Sequence, residues 1–208
     1  MIVESLDVKM RAFAELFKDK GEKIVRRIVD YHLLNGGVSR YDKFRYIYSD
    51  ILKQPLPQQV YEQLCSSFSR LVFDGVVSSP YVPGALEFLL EHKDHYRIHL
   101  ASATPPDELH RILEQRGIFH LFNEVFGAPI SKDDAVKAIL GKSASLPEEA
   151  IFIGDALSDY EAACMNRVRF VARIHDNEAI FNGIPCERVR DICELEQLLL
   201  TDVINSAG

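Results

Sequence analysis

From Tyr81 onward, short apolar runs alternate with helical stretches, and that alternation limits the fold more than any other feature of the chain. "YRIHLASA", "NEVFGAP", "EEAIFIGDA" and "VRFVARI" read as strands. "VPGALEFLLEHK", "PPDELHRILEQRG", "KDDAVKAILG", "LSDYEAACM" and "ERVRDICELEQLLL" read as the helices around them. Proline at the start of "PPDELHRILEQRG" suits a first helical turn. Strands joined through helices lie parallel, with helices on both faces of the sheet. Such a sheet places its ligand site at the C-terminal strand ends.

The stretch from Asp7 to about Ser79 follows a different pattern, helical throughout. "VKMRAFAELFKDKG" puts Val8, Ala12, Leu16 and Phe17 on one face and is expected to end with Gly21 as its C-cap. "EKIVRRIVDYHLLNGG" repeats the scheme and stops at Gly36-Gly37. "SRYDKFRYIYSDIL" opens on Ser39 with Asp42 three residues on, close to a capping box. "PQQVYEQLCSSFSRLVFDGV" supplies a fourth helix. Tyr41, Phe44, Tyr46 and Tyr48 are expected mostly in a bundle core.

Composition narrows the partners. The chain has 208 residues, 47% apolar and 26% charged, with a formal net charge of −7. That length suits a domain with a small insert. An acidic balance argues against sequence-independent nucleic-acid binding, which depends on neutralising phosphates, but leaves room for a phosphorylated small molecule in a local cationic pocket. No apolar run approaches the roughly 20 residues that span a bilayer, and the first residues do not read as a secretory leader. Cys65, Cys164, Cys186 and Cys193 make no metal-binding spacing and suit reduced thiols, so a cytoplasmic protein is expected.

Three strand ends and following turns carry chemistry. "IHLASATP" ends on Ser102, followed by Ala103 and Thr104, where a hydroxyl and turning N–H groups could cradle a phosphate oxygen or simply cap a helix. "IFIGDALSDYEAA" ends on Gly154-Asp155, with Asp159 four residues on. Paired carboxylates there suit Mg²⁺, or serve as loop and helix caps. In "GAPISKDDAVKAIL", Lys132 starts a helix, where a cation opposes the helix dipole. It calls for an anionic partner, or lies solvated at a loop edge.

Hydroxyl, lysine and paired aspartates, in that order and each at a different strand end or turn, resemble the haloacid-dehalogenase-like hydrolases, most of which are phosphatases. The resemblance covers nearly the whole chain. It implies a Rossmann-like three-layer α/β core with a parallel sheet, formed by residues 1–6 and 80–208. Residues 7–79 resemble the all-helical cap inserted in the phosphoglycolate-phosphatase-like branch. "IHLASATP" looks like the motif whose hydroxyl binds the phosphoryl group, so Ser102 and Lys132 are implied in catalysis and Ser102, Ala103, Thr104 and Lys132 in phosphate binding. "GDALSD" looks like the acidic motif that holds magnesium, which implies Mg²⁺ as cofactor on Asp155 and Asp159.

One motif of that family has no match. A strand ending in DxDG[TV] should precede "MIVES", with both its aspartates ahead of Met1. The first is the family's nucleophile and the second its acid/base, so the chain as written is expected to be inactive, with weak or no magnesium binding. Glu4 and Asp7 are poor substitutes. Its central strand would also be absent, leaving two inter-strand spacings of about 4.8 Å each to be closed or filled. The resemblance thus implies a Mg²⁺-dependent phosphomonoesterase of a small phosphorylated metabolite, or alternatively a non-catalytic phosphate-binding or assembly protein on the same scaffold. In the cap, Arg40, Tyr41, Lys43, Arg45 and Tyr46 are candidates for substrate contact or a solvated face. His99, on its strand, is expected to be a satisfied core histidine.

Overall fold

The computed structural model describes residues 2–175 and 178–206. Helices α1 (Leu6–Leu16), α2 (Glu22–Leu34), α3 (Arg40–Tyr46) and α4 (Gln58–Ser78) pack around an aromatic centre. Phe13, Phe17, Ile28, Phe44, Ile47 and Val72 are buried there, and Phe13 lies with its ring 4.7 Å from that of Phe68 and 5.6 Å from that of Phe44. Ser39 caps α3 as its sequence suggests: its Oγ accepts from the Asp42 N–H at 3.2 Å.

Two local expectations change. Helix α1 stops at Leu16, a short 3₁₀ turn follows, and Gly21 precedes α2 with φ +85°. A side chain is strained at that φ, so the glycine turns the chain into the second helix and does not cap the first. Of the four aromatics, Phe44 is fully buried, but Tyr46 is 40% exposed and stacks on Tyr31 at 4.0 Å.

Beyond α5 (Ala85–His92) the chain runs β1 (His99–Ser102), α6 (Pro106–Gln115), β2 (Glu124–Gly127), α7 (Lys132–Ser143), β3 (Ile151–Gly154), α8 (Leu157–Met165), β4 (Arg169–Arg173), β5 (Glu187–Val189) and α9 (Ile192–Ser206). All the ladders between these strands are parallel. β5 was hidden in sequence: "ERV" is too short and too charged to signal a strand, and pairing of Ala172 with Arg188 defines it.

The strands form two sheets, β1-β2 and β3-β4-β5, and among the described residues no ladder joins β1 to β3. The two neighbours of the expected central strand have not closed up. Residues 2–4 instead run antiparallel beside 80–82, with a Val3–Tyr81 bridge and hydrogen bonds from the Val82 N–H to the Ile2 carbonyl and from the Glu4 N–H to the Pro80 carbonyl, both 2.9 Å. Ile2 packs against the apolar clusters of both sheets, with Leu89, Leu109 and Leu113 on one side and Val82, Val171 and Leu195 on the other.

The helical part is tied to the sheet part by charge. Arg40 of α3 forms a bidentate pair with Glu108 of α6, 2.8 Å and 2.5 Å, and donates to Ser69 Oγ of α4 at 2.6 Å. Arg116 of α6 donates to the carbonyls of Val76, Val77 and Ser79 where α4 ends.

Candidate functional site

The acidic motif is built on β3. Gly154 is needed there because a Cβ on it would overlap the Asp159 side chain. Asp159 lies in the first turn of α8 and is 4% exposed. Its Oδ2 accepts from the Ala156 N–H at 3.1 Å and its Oδ1 pairs with Lys132 Nζ at 2.5 Å. The same ammonium donates to Ser158 Oγ at 3.2 Å. Lys132 therefore starts its helix facing a carboxylate, the local reason that offsets the unfavourable helix dipole.

Asp155 and Asp159 move apart in acidity. Burial works to raise the Asp155 carboxyl, but surrounding cations, Lys132, Lys9 and Arg173 among them, hold it below the ordinary range. Burial pushes Asp159 up, against the pull of Lys132 and with added repulsion from Asp155. Two buried carboxylates this close resist simultaneous ionisation, a condition that a divalent cation relieves. The donor set, hard oxygens at a strand end, fits Mg²⁺. Asp159 already spends one oxygen on Lys132 and the other on a backbone N–H, so Asp155 is the carboxylate better placed for direct ligation.

At the end of β1, Ser102 Oγ accepts from the Thr104 N–H at 3.2 Å. Thr104 is buried, and its carbonyl accepts from the Ala128 N–H at 3.0 Å, which fixes the turn against the end of β2. A Cβ on Gly127 would meet the Thr104 carbonyl and the Pro106 backbone, so the two turns are in close contact. Lys132, Asp155 and Asp159 thus form one cluster and Ser102 to Thr104 another. No hydrogen bond joins Ser102 to Lys132 among the described residues.

Over these turns lies a small cavity of about 30 Å³, lined by Lys9, Phe13, His32, Arg40 and Lys43 from the helices and by Ala103 and Thr104 from the strand turn. Gly37 approaches so closely that a Cβ would overlap Ser158 and crowd Lys132. The helical part therefore sits directly against the acidic motif.

Of the substrate candidates on α3, Lys43 and Arg40 reach this cavity. Arg40 arrives there already paired with Glu108, so its main contact is structural. Arg45 turns to the exposed Asp42 at 3.0 Å and over the Tyr61 ring, and Tyr41 packs toward Tyr61. Tyr46 stacks on Tyr31, as above. None of these last three lines the cavity.

Lys9, His32 and Glu108 are the site residues that sequence reasoning missed. Each is an ordinary polar residue on a helix, and only the packing of α1, α2 and α6 around one cavity singles them out. Glu4 is held by Arg173, Nη1 to Oε2 3.1 Å, which removes it as a free carboxylate. His99 is half-buried, but its Nδ1 has no hydrogen-bond partner, and burial lowers its pKa. It is not the satisfied core histidine expected.

No family model matches the chain, and no curated protein does. Solved structures do. A predicted phosphoglycolate phosphatase from Haemophilus somnus aligns at TM-score 0.75 and 18% identity, over 95% of this chain and 93% of that one. CbbY from Rhodobacter sphaeroides in complex with xylulose-1,5-bisphosphate aligns at 0.71 and 17%, over 93% and 91%. A hydrolase of the haloacid-dehalogenase type from Bacillus subtilis, bound to magnesium, aligns at 0.68 and 14%, over 96% and 94%. The chain has the fold of haloacid-dehalogenase-like hydrolases, helical cap included.

Proposed function

We propose that this chain carries the phosphate- and metal-holding part of a phosphomonoesterase site, acting on a small phosphorylated metabolite between a cap (residues 7–79) and a core (residues 1–6 and 80–208). The observation that carries the reading is Lys132, whose ammonium is fixed between Asp159 and Ser158 beside Asp155. A lysine so placed meets phosphoryl oxygens without reorganising. Ser102 and the Thr104 turn offer hydroxyl and N–H donors to the same group. Asp155, with Asp159 behind it, would hold Mg²⁺, which neutralises charge on the phosphoryl oxygens when bound. Support also comes from the fold's neighbours, one bound to magnesium and one to a sugar bisphosphate. The four cysteines are free thiols, which suits the reducing cytoplasm.

A second reading, phosphate binding without turnover, draws on the carboxylates. Glu4, Glu108 and Asp159 are each committed to a cation. None of these three is free to attack phosphorus, and by the resemblance the attacking aspartate belongs to a strand ahead of Met1. We expect no phosphate release from an aryl phosphate with Mg²⁺ above background; turnover that disappears in Asp155→Ala would show that another carboxylate serves. Calorimetry with phosphate or vanadate in excess Mg²⁺ should show weak binding that falls about tenfold in Lys132→Ala, the scale of one charge-assisted contact. Equal affinities would remove Lys132 from the site.

A further inference from the structure

We propose that Lys9 and Lys43 form a second anion subsite that takes the distal carboxylate or phosphate of a doubly anionic substrate whose phosphoryl group lies on the Ser102–Thr104 turn. The proposal deepens the reading above and rests on it for the first anion. Its basis is a surplus of enclosed positive charge. The groups facing the cavity and its rim are Lys9 from α1, His32 from α2, Arg40 and Lys43 from α3, Glu108 from α6, Lys132 from α7, and Asp155. Glu108 neutralises Arg40 and Asp159 neutralises Lys132. Lys43 is 2% exposed, and its Nζ has only the imidazole Nδ1 of His32, at 2.7 Å. Burial and then the nearby lysines lower the His32 pKa to about 3, so His32 is neutral and offers Lys43 no negative charge.

Lys9 makes neither an ion pair nor a hydrogen bond among the described residues. Protein surrounds it, yet it keeps partial exposure, as a side chain facing an internal cleft does. Burial, then Lys9 and Lys132, bring the Lys43 pKa down to about 7. Two enclosed ammonium groups without a carboxylate are costly, and an anion between them removes the cost. Ala103 and Thr104 form the opposite wall, so the second anion would be held one short molecule away from the first. A cavity of about 30 Å³, close to one water's share of liquid volume, favours a compact anionic group over a long chain.

The test is calorimetry in excess Mg²⁺ with methylphosphonate, phosphonoacetate and ethylenebisphosphonate, on wild type, Lys9→Met and Lys43→Met. Doubly anionic probes should bind wild type about tenfold tighter than methylphosphonate, and the advantage should shrink to about threefold or less in each variant while methylphosphonate affinity holds. Whichever doubly anionic probe gains more identifies the distal group as carboxylate or phosphate. No advantage in wild type, or equal losses for all probes in the variants, overturns the subsite. Lys132→Ala separates the two ideas: if methylphosphonate affinity is unchanged there while the Lys9 and Lys43 selectivity persists, the phosphate cradle fails and the subsite stands. Absence of binding by every probe overturns both. Lys43→Met should melt no lower than wild type at pH 7, because it removes an uncompensated charge. A lower melt, with selectivity intact in Lys9→Met, would make Lys43 structural and overturn the proposal.

Discussion

A chain that carries an apolar strand ending in Asp-x-Asp-Gly directly ahead of Met1 should melt several degrees higher than the present one and should release phosphate where the present one does not. The structural motive is the split sheet: β1 and β3 are not hydrogen-bonded to each other among the described residues, and Ile2 is the residue that packs against both sides. A parallel strand between them would meet backbone partners on both edges. Each large apolar side chain it buries contributes about 1.5–3 kcal/mol, offset in part by ordering the added backbone at about 1–2 kcal/mol per residue. By the resemblance, its carboxylate would end beside Lys132 and Asp155, the place that attack on a held phosphoryl group requires. The measurement is a thermal melt and a phosphate-release assay on both chains. If the extended protein melts no higher and releases no phosphate, the enzymatic reading gives way to the binding one.

Glu108→Ala should lower stability by about 3–5 kcal/mol, because it leaves the Arg40 guanidinium buried without its carboxylate. Arg40 is 5% exposed and Glu108 8%. For a chain of this size that corresponds to a fall in melting temperature of about 6–20 °C. The double variant Arg40→Met with Glu108→Met should recover much of the loss, since the desolvation of both charges disappears together. A double variant as unstable as the sum of the two singles would show that the pair contributes nothing beyond its separate packing, and that it does not tie α3 to α6.

How much of this was legible beforehand follows from range. Gly154, Asp155 and Asp159 lie within six positions of one another, so "GDALSD" announced a strand end, a sharp turn and two carboxylates on one spot. Ser39 and Asp42 announced their cap in the same way. These signals are local, fixed by backbone geometry over a single turn, and the alternation of strands and helices after Tyr81 is the sum of several of them. β5 escaped because three residues of mixed polarity carry no period, and only pairing with β4 makes them a strand.

Tertiary structure alone decided which charges meet. Lys9 and Lys43 are separated by three helix ends, and nothing in "VKMRAF" or "YDKFRY" distinguishes an enclosed lysine from a solvated one. Arg40 read as a substrate contact until α6 delivered Glu108 across 68 positions. The sequence by itself determined the α/β alternation, the helical insert and the strand-end chemistry of Ser102, Lys132, Asp155 and Asp159. The partners of Arg40, the cavity over Thr104 and the surplus charge within it arise only on packing, because electrostatic pairing depends on distance in space, and helix periodicity says which face is buried but not what it is buried against.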